Sequence, residues 1–96
     1  MRKTEVIRRI RDHQDELREL KAASLYLYGS TARDEATPTS DVDIFIDPAP
    51  GFTFVELIRL EERLAEICDA KVELTTRGGL HPSLRRHIEA SAESVL

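Results

Sequence analysis

LYLYGSTARDEATPTSDVDIFID, residues 25–47, is the stretch from which the fold can be read. Leu25-Tyr26-Leu27-Tyr28 reads as a strand ending at Gly29-Ser30, and Asp41 to Ile46 reads as a second strand after a polar loop containing Pro38. Successive side chains of a strand point to opposite faces. Asp41 and Asp43 therefore share one face, and Val42 and Ile44 the other. At the usual rise per residue the two aspartate Cα atoms lie about 6.6 Å apart, within reach of a single divalent cation. A glycine at the strand end permits close backbone approach to a phosphate, and amides at a helix start favour anions. Together these features suit phosphoryl or nucleotidyl transfer.

Working outward, residues Lys3 to about Leu20 carry Val6, Ile10, His13, Leu17 and Leu20 at helical steps and predict one amphipathic helix. His13 lies on the apolar stripe, but no partner at metal-ligand spacing accompanies it, so it reads as a half-buried side chain. Thr31-Ala32-Arg33 predicts a short helix after the Gly-Ser turn. Asp47-Pro48-Ala49-Pro50-Gly51 breaks the chain. Thr53 and Glu56 match a capping box, opening a helix with Leu57, Leu60, Leu64 and Ile67 on one face and its end near Cys68-Asp69. Cys68 extends that face as a small buried hydrophobe. Lys71 to Thr75 predicts a third strand, Arg77-Gly78-Gly79 a turn, and Pro82 the first position of a last helix with Leu84, His87, Ile88 and Ser91 on a common face. The expected fold class is α/β, a small β-sheet flanked by helices.

Composition bounds what this fold can do. The 96 residues suffice for one domain and one core, expected to span 1–96. A hydrophobic content of 41% with 33% charged residues is that of a globular chain. No apolar run approaches the roughly 20 residues that cross a bilayer. The basic N-terminus lacks the apolar stretch of a signal peptide. The single cysteine excludes an internal disulfide and points to a reducing cytoplasm. A net charge of −4 and 5% aromatic residues argue against direct nucleic-acid binding.

The individual motifs have limited weight. DVDIFID alone also describes the polar side of a half-exposed strand. Two same-face aspartates repel, however, and strands disfavour Asp, so a cation is the natural compensation. An EF-hand is excluded, because Phe45 and Ile46 stand where that loop needs an oxygen ligand and glycine. Neither a Walker lysine nor a G-x-G-x-x-G fingerprint is present.

In combination, Gly29-Ser30 at a strand end, Ala32-Arg33 following, and Ser40-Asp41-Val42-Asp43 opening the next strand resemble the signature of DNA polymerase beta-like nucleotidyltransferases, and more narrowly the minimal nucleotidyltransferase (MNT) family. The resemblance extends over nearly the whole chain and implies a polymerase beta-like catalytic fold with a mixed sheet. It implies that Asp41 and Asp43 bind two Mg²⁺ ions carrying ATP. It also places Gly29, Ser30, Arg33 and Ser40 against the nucleotide. Arg33 has a second possible job, a salt bridge that locks the loop. A third carboxylate for the metals, able to help deprotonate the acceptor, would be Glu73, with Asp47 on the same strand face as the aspartates as the other candidate. The family more often has Asp where Glu73 stands, and one extra methylene can shift a ligand by about an ångström.

The resemblance further implies a partner. MNT proteins pair with small helical HEPN RNase toxins in toxin–antitoxin modules, and the antitoxin adds AMP to a toxin tyrosine. A chain with no spare lobe for acceptor recognition agrees with a protein acceptor. Two other readings stand beside it: a catalytically impaired antitoxin that inhibits by contact, and a small-molecule, antibiotic-type nucleotidyltransferase.

Overall fold

In the computed structural model, residues 2–35 and 41–96 are described. The predicted 34–40 loop is therefore described only as far as Glu35, and Ser40, assigned above to the nucleotide, lies outside the described residues.

The elements run α1 (Lys3–Asp12), α2 (Gln14–Glu19), β1 (Ala22–Tyr28), α3 (Gly29–Ala32), β2 (Val42–Pro48), α4 (Phe54–Cys68), β3 (Val72–Thr76), a 3₁₀ turn (Arg77–Gly79), α5 (Arg85–Ser91) and β4 (Glu93–Ser94). The strands form one mixed sheet in the order β3-β2-β1-β4. β1 pairs antiparallel with β2 and β4. β2 and β3 are parallel, joined by α4, as a parallel pair requires a crossover.

One sheet face is apolar. Leu25, Leu27, Val42, Ile44, Ile46, Val72 and Leu74 point to it and meet Val6, Ile10 and Leu17 from α1 and α2 and Leu60, Leu64 and Ile67 from α4 in one buried cluster. Burying each such side chain is worth about 1.5–3 kcal/mol before chain entropy is counted. Cys68 belongs to this cluster, and burial pushes its thiol up to about 11, which suits an inert filler. Thr53 caps α4 as predicted, its hydroxyl accepting the Glu56 N–H at 3.3 Å. Asp69 closes the helix in the left-handed region at φ 50. Glu16 accepts two hydrogen bonds from Arg63, at 2.7 and 3.0 Å, tying α2 to α4.

Three expectations need correction. The single helix over Lys3–Leu20 is two helices that break at His13. There the imidazole Nδ1 donates to the Arg9 carbonyl at 2.9 Å, and the His13 amide bonds Ile10 instead. A side chain has taken the ladder's acceptor. The last helix starts at Arg85 rather than Pro82, and its proposed apolar face is not buried, with Leu84 53% exposed. β4 was not foreseen. It comprises only Glu93 and Ser94, followed by Val95, whose amide donates to Leu25 at 2.9 Å and whose side chain is buried.

Candidate active site

The opposite sheet face holds the chemistry. Strand register sets Tyr28 opposite Asp43 and Asp43 opposite Glu73, so one residue from each of β1, β2 and β3 forms a row across the sheet. The next row is Tyr26, Phe45 and Thr75. Asp41 and Asp47 extend the same face of β2 in the two directions, by the alternation read in the sequence.

Asp43 is the centre of the site. It is partly buried, and its carboxyl is held above the usual range, first by desolvation and then by the charges of Glu73 and Asp41 and a shared hydrogen bond with Glu73. Gly29 stands directly against it. Gly29 has φ +70, and a Cβ there would lie 2.6 Å from Asp43 Oδ2. The glycine read above as a phosphate approach is therefore also the space into which a metal carboxylate fits. The turn it begins is α3, where Ser30 is half-buried and its carbonyl accepts the Glu35 amide at 2.8 Å.

Of the two candidates for a third carboxylate, Glu73 is brought beside Asp43 and Asp47 is not free. Arg77 Nε and Nη2 both reach Asp47 at 2.8 Å, and its Nη1 reaches Glu89 of α5 at 2.6 Å. The guanidinium lies 5.0 Å from the ring centroids of both Tyr26 and Phe45. The Arg77 hydrogen bonds hold the Asp47 carboxyl below the ordinary range. Arg33 is exposed and pairs with Glu35 at 3.1 Å, a contact local to its own loop.

Sequence reading missed two residues here. Tyr28 belongs to the carboxylate row, and burial with the charges of Asp43 and Glu73 raises its phenol. Its parity in β1, two residues from Tyr26 and opposite to Leu27, was the available signal. Thr31 is buried, and its Oγ1 has no hydrogen-bond partner among the described residues. Nothing in the sequence marked it.

The donor set consists of hard carboxylate oxygens, which suit Mg²⁺. Among the described residues no three His, Cys, Asp or Glu side chains stand at metal-holding spacing. Asp43 and Glu73 form the close pair, while Asp41 Oδ2 faces Lys71 Nζ at 3.7 Å. The crowding that raises Asp43 is the strain a cation relieves, so in chemistry the residues fit the metal.

A family model described as nucleotidyltransferase domain matches residues 7–95. A Methanocaldococcus jannaschii relative, provisionally named a protein adenylyltransferase, is 40% identical over 82 residues, covering 83% of this chain and 84% of its own. A solved structure provisionally described as a minimal nucleotidyltransferase superposes with a TM-score of 0.84 at 26% identity, over 97% of this chain and 95% of that one. A Shewanella oneidensis complex, described as a tri-AMPylated HEPN toxin with its MNT antitoxin, matches with a TM-score of 0.59 at 18% identity, over 90% of this chain and 71% of that one. At that identity the likeness is one of fold.

Proposed function

The chain belongs to the nucleotidyltransferase domain family, and from that premise we propose that it is the MNT antitoxin of a HEPN/MNT pair, transferring AMP from ATP to a tyrosine hydroxyl of the HEPN RNase toxin. The observation that carries the reading is the Asp43–Glu73 carboxylate pair set against the positive-φ Gly29 on the polar sheet face. The protein acceptor is supported by the name of the M. jannaschii relative and by the AMP-bearing toxin described for the Shewanella complex.

Asp41, Asp43 and Glu73 would hold Mg²⁺, which neutralises phosphate charge and stabilises the attacking and leaving oxygens when bound. Ser30 and the amides around Gly29 hold the terminal phosphates. The acceptor hydroxyl attacks the α-phosphorus, pyrophosphate leaves, and Glu73 takes the hydroxyl proton. Arg33, on the rim, contributes phosphate attraction at most, since Glu35 already neutralises it. The reaction belongs to the cytoplasm, where the single free cysteine stays reduced.

The test is to co-express the pair and weigh the toxin intact. With the parent chain it gains whole AMP units. With Asp43→Ala it gains none, while the complex still forms. A toxin neutralised equally by both and never heavier rejects transfer. That outcome selects inhibition by contact, a reading favoured by one observation, the Lys71 Nζ that sits 3.7 Å from Asp41 Oδ2 and competes with a cation for that carboxylate.

Nucleotide binding has its own expected result. Mg²⁺ with ATP raises the melting temperature of the parent, and Asp41→Asn/Asp43→Asn loses that rise. Without nucleotide the double variant is as stable as the parent or more so at neutral pH. The sign follows from Asp43: a carboxyl whose folded pKa is raised costs stability above that pKa and regains it as pH falls toward its unfolded value. Asn removes the cost. Thermal scans of both proteins, with and without Mg²⁺ and ATP, decide the point, and an undiminished shift in the variant would take the aspartates out of the site.

A further inference from the structure

We propose that the phenol of Tyr28 is itself a nucleotide acceptor, so that without a partner hydroxyl the chain modifies itself there once and stops. The inference rests on the nucleotidyl-transfer reading above. It comes from the row in which Tyr28 sits.

Tyr28 is the direct neighbour of Asp43 across the β1–β2 ladder, and Glu73 follows one strand further. Its ring packs at a tilt against Phe45, with centroids 5.8 Å apart, which steadies the side chain over the polar face. The side chain is half-buried, and its hydroxyl donates to no other described residue.

Among the described residues, the other hydroxyls on or near this face are engaged elsewhere. The Tyr26 ring is stacked on Phe45 at 4.8 Å beneath the Arg77 guanidinium, and its hydroxyl is turned to Asp47. Thr75 Oγ1 donates to the Thr76 carbonyl at 3.4 Å, and Thr76 Oγ1 accepts the Gly79 amide at 3.0 Å. Ser30 belongs to the phosphate cradle. Among the described residues Tyr28 is the remaining nucleophile beside the carboxylates, and it is of the same chemical class as the tyrosine proposed on the partner.

The step balances without any further reagent. Tyr28 Oη forms a bond to the α-phosphorus of ATP, and the bond from that phosphorus to the bridging oxygen of the β-phosphate breaks. Pyrophosphate leaves with the bonding pair, and the phenol proton passes to Glu73. The product is a tyrosyl phosphodiester carrying AMP. That bulky anion occupies the row beside Asp43 and Glu73, where a second triphosphate would have to bind, so the modification limits itself to one unit per chain.

The experiment uses the whole chain alone, incubated with Mg²⁺ and ATP and weighed intact, with peptide mapping of the segment between Lys21 and Arg33. The expected result is a single AMP increment carried by Tyr28, absent in Tyr28→Phe and in Asp43→Asn. An increment mapped elsewhere, or one that persists in Tyr28→Phe, overturns the inference. So does a parent chain that gains no mass although Mg²⁺ and ATP raise its melting temperature; in that case nucleotide binding stands and only the acceptor role of Tyr28 falls. If neither mass nor melting temperature moves, both readings fail.

Discussion

Gly29→Val is expected to reduce AMP transfer on the order of a hundredfold, because it displaces a reacting group by about an ångström. Two effects combine. Gly29 sits at φ +70, a conformation that costs an ordinary L-residue about 1–2 kcal/mol and a β-branched one more. A Cβ would also stand 2.6 Å from Asp43 Oδ2, a distance that carbon and oxygen do not tolerate. Asp43 is partly buried and crowded by Glu73, so its carboxylate has little room to retreat. Since the conflict begins at the Cβ, Gly29→Ala should already lose most of the activity. That graded pair separates this account from one in which the glycine serves phosphate approach alone, where alanine is far milder than valine. Initial transfer rates at saturating ATP make the comparison, and full activity in either variant contradicts the packing of Asp43 on Gly29.

Arg77→Ala is expected to be strongly destabilising for a partly exposed residue, by roughly 2–3 kcal/mol. Each partly exposed ion pair contributes only a fraction of a kcal/mol to about one, and cation–π contact adds a comparable amount. Arg77 makes all of them at once: both oxygens of Asp47, Glu89 on α5, and the faces of Tyr26 and Phe45. α5 buries no residue fully, so this guanidinium is the main tie between that helix and the sheet. For a chain of this size the loss corresponds to a fall in melting temperature on the order of 10 °C. Arg77→Lys should recover little, because an ammonium cannot bridge two carboxylates and lie flat on two rings.

The same clasp sets an acid-side behaviour. Asp47 has a lowered folded pKa, so its contribution is present above the ordinary carboxylate range and is lost as pH falls through the folded value. Asp43, shifted upward, works in the opposite sense. Denaturant unfolding of the parent and Arg77→Ala at neutral and acid pH should therefore show their difference shrinking in acid. A constant difference would remove the Asp47 contact from the account.

Much of this was legible from local rules. Alternation in DVDIFID separates Asp41 and Asp43 from Val42 and Ile44, and the structure places these residues on the two faces so assigned, one lined by the core and the other by the carboxylates. The Thr53 cap and the end of α4 follow from backbone groups that need partners within a few residues. Misreadings occurred where a partner distant in sequence, or a side chain, overrode the pattern. His13 broke a continuous helical stripe by capturing a carbonyl. α5 looked amphipathic, yet its anchor is the charge of Glu89 on Arg77, twelve residues away.

By itself, then, the sequence determined the α/β layout, the aspartates on one face and the glycine turn, because strand parity, capping and turn chemistry act over a few residues. Only the tertiary structure decided which carboxylate joins Asp43. Glu73 stood first by its position in the family pattern with Asp47 as runner-up, and the parallel β2–β3 register then put Glu73 across from Asp43 while the turn after β3 delivered Arg77 to Asp47. Register between strands is set by how the whole core packs, a sum over residues far apart in the chain, and no local pattern contains it.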